Sequence, residues 1–318
     1  MTKPSLLELP RGVQLIYLAE GGANVIYRFT TPTTLPPQLQ GKLLRLRKKT
    51  AADTPYKDIV RNFDTIIRPL FTPDELVDQT LIRLPEGLII QCNEQLRAAE
   101  RNSQRPPKRH GSYLSLTEPF GLLITDMTTA NDPGATLAEL KPKWLNQSPT
   151  APSTACRCRT CALWEMKNRE AMQAGRKEQR SFCPLDLVSE QYENVLRAAG
   201  LIKCKDRSRL ARILFRNPTL LRLQSLQKTE REVGLLGPEG RAWDMSLAMT
   251  LRDCTMFVRI PHDEKAPVEI RLGDLDLKTG AGGKAGYWRE LETRLIEQGW
   301  YRGSNGCQES SECALRRA

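Results

Sequence analysis

The sequence predicts an α+β protein in two parts: an antiparallel sheet with helices over residues 1–126, and a larger mixed part over 127–318. Three observations predict it. The 318 residues suffice for one large or two modest domains. Short alternating segments joined by turn residues dominate the first fifty positions. Helical spacing then takes over, until two strands flank a proline-bounded turn after position 253. Apolar residues at 40% and charged residues at 27% exclude a mainly disordered chain. No apolar run approaches the ~18–20 residues of a membrane span, and Pro4, Glu8 and Pro10 interrupt the stretch a secretory leader needs. Nine cysteines without such a leader imply a reducing compartment, nucleus and/or cytoplasm, where they are thiols or metal ligands before disulfides. A monomer is expected.

Residues 13–19 alternate as a strand, Gly21-Gly22 can turn the chain, and 25–29 form a second strand rich in β-branched and aromatic residues. After a Thr/Pro-rich loop, 42–48 is a third strand with Leu44 and Leu46 on one face and Arg45 and Arg47 on the other. Residues 53–105 read as mainly helical, for example 73–82 and 88–101. A basic loop follows, and 113–126 is extended. In the second part, 137–145 is a short strand. Helices are expected over 161–176, 188–199, 207–215, 241–252 and 286–299. Trp243, Leu247 and Leu251 are at core spacing in the fourth. Residues 254–260 and 268–277 are strands, and the tail after Tyr301 reads as frayed.

The charge is uneven. Of 48 basic and 37 acidic residues, 239–318 hold 12 and 13, so the first 238 carry the whole +11 surplus. A basic surface attracts polyanions. Aromatics are only 6% and do not interleave with basic residues, so nucleic acid is not the expected partner.

The sharpest local pattern is Asp274-Leu275-Asp276-Leu277-Lys278. A strand there puts Asp274, Asp276 and Lys278 on one face. A solvated edge strand has the same pattern. The hairpin, however, turns near Glu264, and reflection about that point sets position 253 opposite 275. Asp253 then joins Asp274 and Asp276 at one end of a ribbon. Such crowding calls for a cation, and Mg²⁺ suits carboxylates plus phosphate oxygens. One carboxylate is left to take the proton of an attacking hydroxyl.

Gly21-Gly22-Ala23-Asn24 lets backbone N–H groups approach a phosphate, although an ordinary hairpin turn reads the same. It is not a P-loop. Arg45 or Arg47 could reach the same phosphates, or could simply form an exposed strand face. Glu139, Lys141 and Lys143 share a face in strand geometry, with Pro142 marking a strand end. Cys156, Cys158, Cys161 and Cys183 have the spacing of a closed structural zinc site, with reduced thiols as the alternative.

Taken together, these segments resemble the inositol-pentakisphosphate 2-kinase family, its shorter fungal members in particular. The residues that carry the resemblance are Glu20 to Val25, Leu44 to Lys48, Glu139 to Lys143, Cys158-Arg159-Thr160-Cys161, Pro184 to Leu187, Arg252-Asp253-Cys254 and Asp274 to Lys278, in family order. The resemblance implies a two-lobed kinase-like fold that uses ATP and Mg²⁺ to phosphorylate the 2-hydroxyl of inositol 1,3,4,5,6-pentakisphosphate. It implies Asp253 as the catalytic base and Asp274 as a metal ligand. Gly21, Gly22, Ala23, Asn24, Val25 and Arg45 would clamp the nucleotide phosphates. Asp126 at the inter-lobe hinge, Glu139 and Arg222 would also bind nucleotide. Lys141, Lys143, Lys167, Lys278 and Arg109 would bind substrate phosphates, with Arg105 as the alternative to Arg109. The family's basic residue and Tyr after the DLDLK motif fall on Gly282 and Gly286, so Lys284 and Tyr287 are the expected replacements. Five phosphates of about −1.5 to −2 each fit the basic surplus. The rivals are another inositol polyphosphate kinase and a non-catalytic basic polyanion-binding protein, supported by the basic stretch 203–216.

Overall fold

The computed structural model describes residues 6–10, 12–31, 34–50, 54–130, 132–228, 235, 242–278, 280, 283–303 and 313–317. It is α+β and divides into two compact units, one of residues 1–69 and 77–126, the other of residues 70–76 and 127–318.

The first unit is built on six strands: β1 Leu7–Glu8, β2 Gln14–Glu20, β3 Asn24–Thr30, β4 Lys42–Arg47, β5 Gln79–Arg83 and β6 Phe120–Thr125, in the order β1-β5-β6-β4-β3-β2. All pairings are antiparallel except β1 with β5. Alternation decides β3: Val25, Tyr27 and Phe29 are buried. They join Leu44, Leu46, Ile82 and Leu123 in one core. Helix α1, Tyr56–Asn62, buries Tyr56 and Ile59. Helix α2, Leu88–Arg101, adds Cys92 and Leu96 to the main core. Gly121 permits close packing, since a Cβ there would lie 2.8 Å from Leu44 Cδ1. Arg45 and Arg47 are both buried, which corrects the reading of their face as exposed.

The expected helix over 73–82 is not formed. Pro73–Glu75 is one 3-10 turn, with the Glu75 carboxylate accepting from the Thr72 N–H and hydroxyl at 2.9 and 3.0 Å. The chain then becomes β5, because Leu81 and Ile82 find cross-strand partners in Leu122 and Gly121. Long-range pairing overrides a good helix start.

The second unit holds a three-stranded antiparallel sheet, β7 Thr136–Leu140, β8 Thr255–Ile260 and β9 Glu269–Gly273, in that order. Its described helices are α3 Arg159–Gln173, α4 Tyr192–Gly200, α5 Arg207–Leu214, α6 Pro218–Lys228, α7 Ala242–Leu251, α8 Lys284–Glu297 and α9 Ala314–Arg317. Helix α6 had no counterpart in the sequence reading. Leu247 and Leu251 of α7 are buried as expected, and the Trp243 side chain lies outside the described residues. The tail is not wholly frayed: Arg317 Nη2 donates to both Asp186 oxygens at 2.7 and 2.8 Å.

Candidate active site

In the first unit the glycine turn closes with Gly21 N–H donating to Asn24 O at 2.9 Å, and Lys48 N–H donates to Ala23 O at 2.8 Å. Val25 pairs with Leu46. Beneath the turn lies a buried ion cluster. Lys48 Nζ donates to Gly21 O at 2.9 Å and pairs with Glu20. Arg105 donates to both Glu20 oxygens at 2.7 and 2.8 Å and to Ser112 O at 2.5 Å, and pairs with Glu100. Burial alone would raise the Glu20 pKa. Hydrogen bonds from Arg105, Lys48 and Tyr17 outweigh it and hold the carboxyl at about 2. Burial pushes Lys48 the other way, below its ordinary value, against the pull of Glu20.

Arg105 is therefore a support of the turn, with its side chain fully buried. Arg109 has a different place: its Nη1 lies 3.9 Å from where a Cβ on Gly22 would sit. Asn24, in the amide orientation its donors require, accepts from Arg45 Nη2 and Nε at 2.8 and 3.2 Å. Arg45 also stands 5.9 Å from the Tyr56 ring centre. Asp126 is the last residue of this unit, and its N–H donates to Gly41 O at 2.9 Å.

In the second unit the hairpin register runs from Thr255 opposite Gly273 to Arg259 opposite Glu269, so reflection about Glu264 holds. The strand stops at Gly273, short of the expected 277. Asp274 turns to φ +58°, in the left-handed region, and Leu275 is buried. Strand alternation therefore does not set Asp274, Asp276 and Lys278 on one face. The structure instead draws Asp253 and Asp274 to one ammonium: Lys141 Nζ is 2.9 Å from Asp274 Oδ2 and 3.8 Å from Asp253 Oδ1. Asp253, Asp274 and Asp276 do not bring three oxygens within 4.8 Å of one another. Lys143 Nζ reaches Asp253 Oδ1 at 2.6 Å, and Lys278 pairs with its other oxygen. Burial works against the Asp253 charge, but Lys278 and Lys143 prevail and lower its pKa below the ordinary carboxylate value. Burial likewise opposes the charge on Lys141, and Asp274 outweighs it, raising the lysine.

Asp253, Lys141 and Lys143 edge a cavity of about 400 Å³, and Lys278, expected beside them, pairs with Asp253 without lining it. Lys141, Lys143, Lys167 and Tyr287, all named from the sequence as substrate ligands, line it. Lys167 extends from α3 and is pushed below its ordinary pKa by burial, then by the like charges of Lys143 and Arg159. Arg159, Arg252 and Trp144 also line it. Arg159 and Arg252 were quoted in the motifs but given no site role, and Trp144 was not singled out: Arg159 stands between two cysteines, and Arg252 beside the more conspicuous Asp253.

Three expected residues lie elsewhere. Lys284 opens α8 and is not among the cavity's lining residues. Glu139 is exposed on β7, opposite Phe257. Arg222 on α6 pairs with Glu75 at 3.2 Å. Lys141 and Lys143 follow the end of β7, so the strand face expected to carry them with Glu139 is not formed; a turn, in which Lys143 N–H donates to Lys141 O at 2.8 Å, brings both to Asp253. Gly282 lies outside the described residues.

The thiol cluster needs one correction. Cys158, Cys161, Cys183 and Cys313 bring their sulfurs within 4.8 Å of one another. Cys156 is not among them, and its Sγ sits 3.6 and 3.2 Å from the carbonyls of Tyr301 and Arg302. Cys183 Sγ is 3.8 Å from Cys158 Sγ and 3.9 Å from Cys313 Sγ. Four sulfurs on a zinc ion at about 2.3 Å stand about 3.8 Å apart along each tetrahedral edge, so the set fits. Cys313 was missed because only folding brings it near, from a tail read as frayed.

The family described as Inositol-pentakisphosphate 2-kinase matches residues 17–205 and 202–294. An inositol-pentakisphosphate 2-kinase of Yarrowia lipolytica is 31% identical over 322 residues, 94% of each chain. One of Debaryomyces hansenii is 26% identical over 368 residues, 91% of this chain and 92% of that one.

Proposed function

The chain belongs to the inositol-pentakisphosphate 2-kinase family, and on that premise we propose that it transfers a phosphoryl group from ATP to the 2-hydroxyl of inositol pentakisphosphate, with Asp253 receiving the hydroxyl proton. The product is inositol hexakisphosphate. The observation that carries the residue assignment is the ionised Asp253 at the rim of a cavity lined by Lys141, Lys143 and Lys167. A substrate with five phosphates needs converging cations, and its attacking hydroxyl needs a carboxylate within hydrogen-bond reach. As the 2-oxygen bonds to the γ-phosphorus, the bond from that phosphorus to the β–γ bridging oxygen breaks and the proton passes to Asp253. Lys143 and Lys278 keep the carboxylate charged and aimed until the hydroxyl arrives.

We read the first unit as the nucleotide lobe of a kinase-like fold and the second as the substrate lobe. The Gly21–Val25 turn offers backbone N–H groups to phosphate, and Arg45, braced by Asn24, adds a cation. Asp274, whose carboxylate an ammonium now meets, suits a divalent cation and leaves Asp253 for the proton. Mg²⁺ bound there supplies charge neutralisation to the transferring phosphate. Cys158, Cys161, Cys183 and Cys313 are the ligands for a structural Zn²⁺.

Asp253→Asn is expected to lower kcat about 10³-fold with radiolabelled ATP and inositol pentakisphosphate. Near wild-type turnover would remove the assignment. Metal analysis is expected to find one zinc per chain, lost on Cys313→Ser and retained on Cys156→Ser. The opposite pattern would restore Cys156.

A further inference from the structure

Trp144 is the least expected residue in the wall of the cationic cavity. It follows the turn after β7 and adopts φ +54°, a region that a bulky side chain enters only at a cost. The turn is clamped on several sides. Gln227 Nε2 donates to Pro142 O and Leu251 O at 3.2 and 2.9 Å, and Leu145 N–H donates to Gln227 Oε1 at 2.7 Å. The indole is buried with Met245 and Met249. A strained conformation persists where the surroundings over-determine it, and it then invites the question of what it holds in place.

Here it holds two cations. The guanidinium carbon of Arg159 lies 4.4 Å from the Trp144 ring centre and that of Arg252 lies 4.3 Å from it. Both arginines line the same cavity as Lys141, Lys143 and Lys167. The two come from elements far apart in sequence, Arg159 from the first turn of α3 and Arg252 from the residue after α7. One aromatic face system therefore sets both guanidiniums relative to each other. Arg159 is fixed from a second direction: its Nε donates to Glu292 Oε2 at 2.6 Å. Glu292 is fully buried and also accepts from Ser148, Thr150 and Tyr301 at 2.9, 2.7 and 2.7 Å. Glu292 offsets part of the Arg159 charge from the Nε side, and the indole adds no counter-charge of its own. An indole orients a guanidinium while leaving its charge available to a phosphate.

We infer that Trp144 is a positioning residue for the polyphosphate substrate: its indole aligns Arg159 and Arg252 in the cavity wall so that both meet ring phosphates without rearrangement. This rests on reading the cavity as the substrate site. Cations that crowd together repel and would spread apart between turnovers; a stacked pair stays where the phosphates will arrive.

The test uses the whole enzyme and separates KM from kcat. Trp144→Leu is expected to raise KM for inositol pentakisphosphate about tenfold, with KM for ATP and kcat at saturation within twofold of wild type. Trp144→Phe, which keeps a stacking face, is expected to recover most of the loss. The Leu substitution in an Arg159→Ala background is expected to raise KM by less than it does alone. Should Trp144→Leu not fold, Arg159→Lys with Arg252→Lys keeps both charges and removes the stacked forks, and is expected to raise KM by a similar factor. The inference is overturned if a folded Trp144→Leu keeps its KM, if Phe is no better than Leu, or if the double Lys variant is indistinguishable from wild type. Lys143→Ala and Lys167→Ala serve as the controls for the site. If they too leave KM unchanged, the cavity is not the substrate site; if they raise it while Trp144→Leu does not, only the positioning role falls.

Discussion

Each unit gathers opposite charges, and the two assemblies are finished differently. Under the glycine turn Lys48, Glu20 and Arg105 have side chains 0%, 1% and 0% exposed. Three donors, on Tyr17, Lys48 and Arg105, converge on one carboxylate. Around Asp253 the side chains stay open: Lys141 and Lys143 are each 42% exposed, and Asp274 is 52%. There Lys141, Lys143, Lys167 and Lys278 outnumber the two aspartates, and of the two buried arginines behind them Arg159 is matched by Glu292. A balanced, sealed cluster holds a backbone loop in shape. An open cluster with surplus cations has unmet electrostatic demand, and a polyanion supplies it. A Lys167 pushed below its ordinary pKa beside Lys143 and Arg159 is a sign of that demand.

The contrast can be broken by substitution. Lys48→Met leaves Glu20 short of a buried partner and is expected to cost about 3–5 kcal/mol in urea unfolding. It also frees the Gly21 carbonyl, so KM for ATP is expected to rise while affinity for inositol pentakisphosphate holds. Loss of inositol pentakisphosphate affinity with stability intact would reverse the roles of the two clusters. Glu20 gives a pH test of similar kind. Its folded pKa near 2 lies below the ordinary 4.5, so its contribution is complete above about 4.5 and drains away as pH falls towards 2. The stability gap between wild type and Glu20→Gln, on the order of 2–3 kcal/mol at pH 7, is expected to narrow steadily below pH 4.5. A gap that widens in acid would contradict the sign. Lys167→Ala is the smaller and opposite case: KM for the inositol phosphate is expected to rise roughly 10–100-fold, while the unfolding midpoint stays level or climbs as crowded charge is relieved. A destabilised variant with normal KM would make Lys167 a structural residue.

Much of this was legible in the residues because it is local or mirror-symmetric. The register of β8 with β9 followed from one turn position, and it put Asp253 beside the chain that carries Asp274. Where β9 ends was not legible, because the left-handed Asp274 depends on surroundings that alternation does not encode. The convergence of Lys141 and Lys143 on Asp253 was not legible either: alternation set them only on one strand face with Glu139, and a turn after β7 takes them to the aspartate. Strand β5 was mistaken for helix because its partners on β6 lie 37 to 45 residues away in sequence. Cys313 and the stacking of Arg159 and Arg252 on Trp144 were hidden for the same reason: each exists only once distant segments meet.

The most direct measurement is a crystal structure of the enzyme with inositol pentakisphosphate and a non-hydrolysable ATP analogue. The account predicts the 2-hydroxyl within about 2.6–3.2 Å of an Asp253 carboxylate oxygen, with ring phosphates on Lys143 and Lys167. A substrate bound away from Asp253, or with another hydroxyl facing it, would contradict the account.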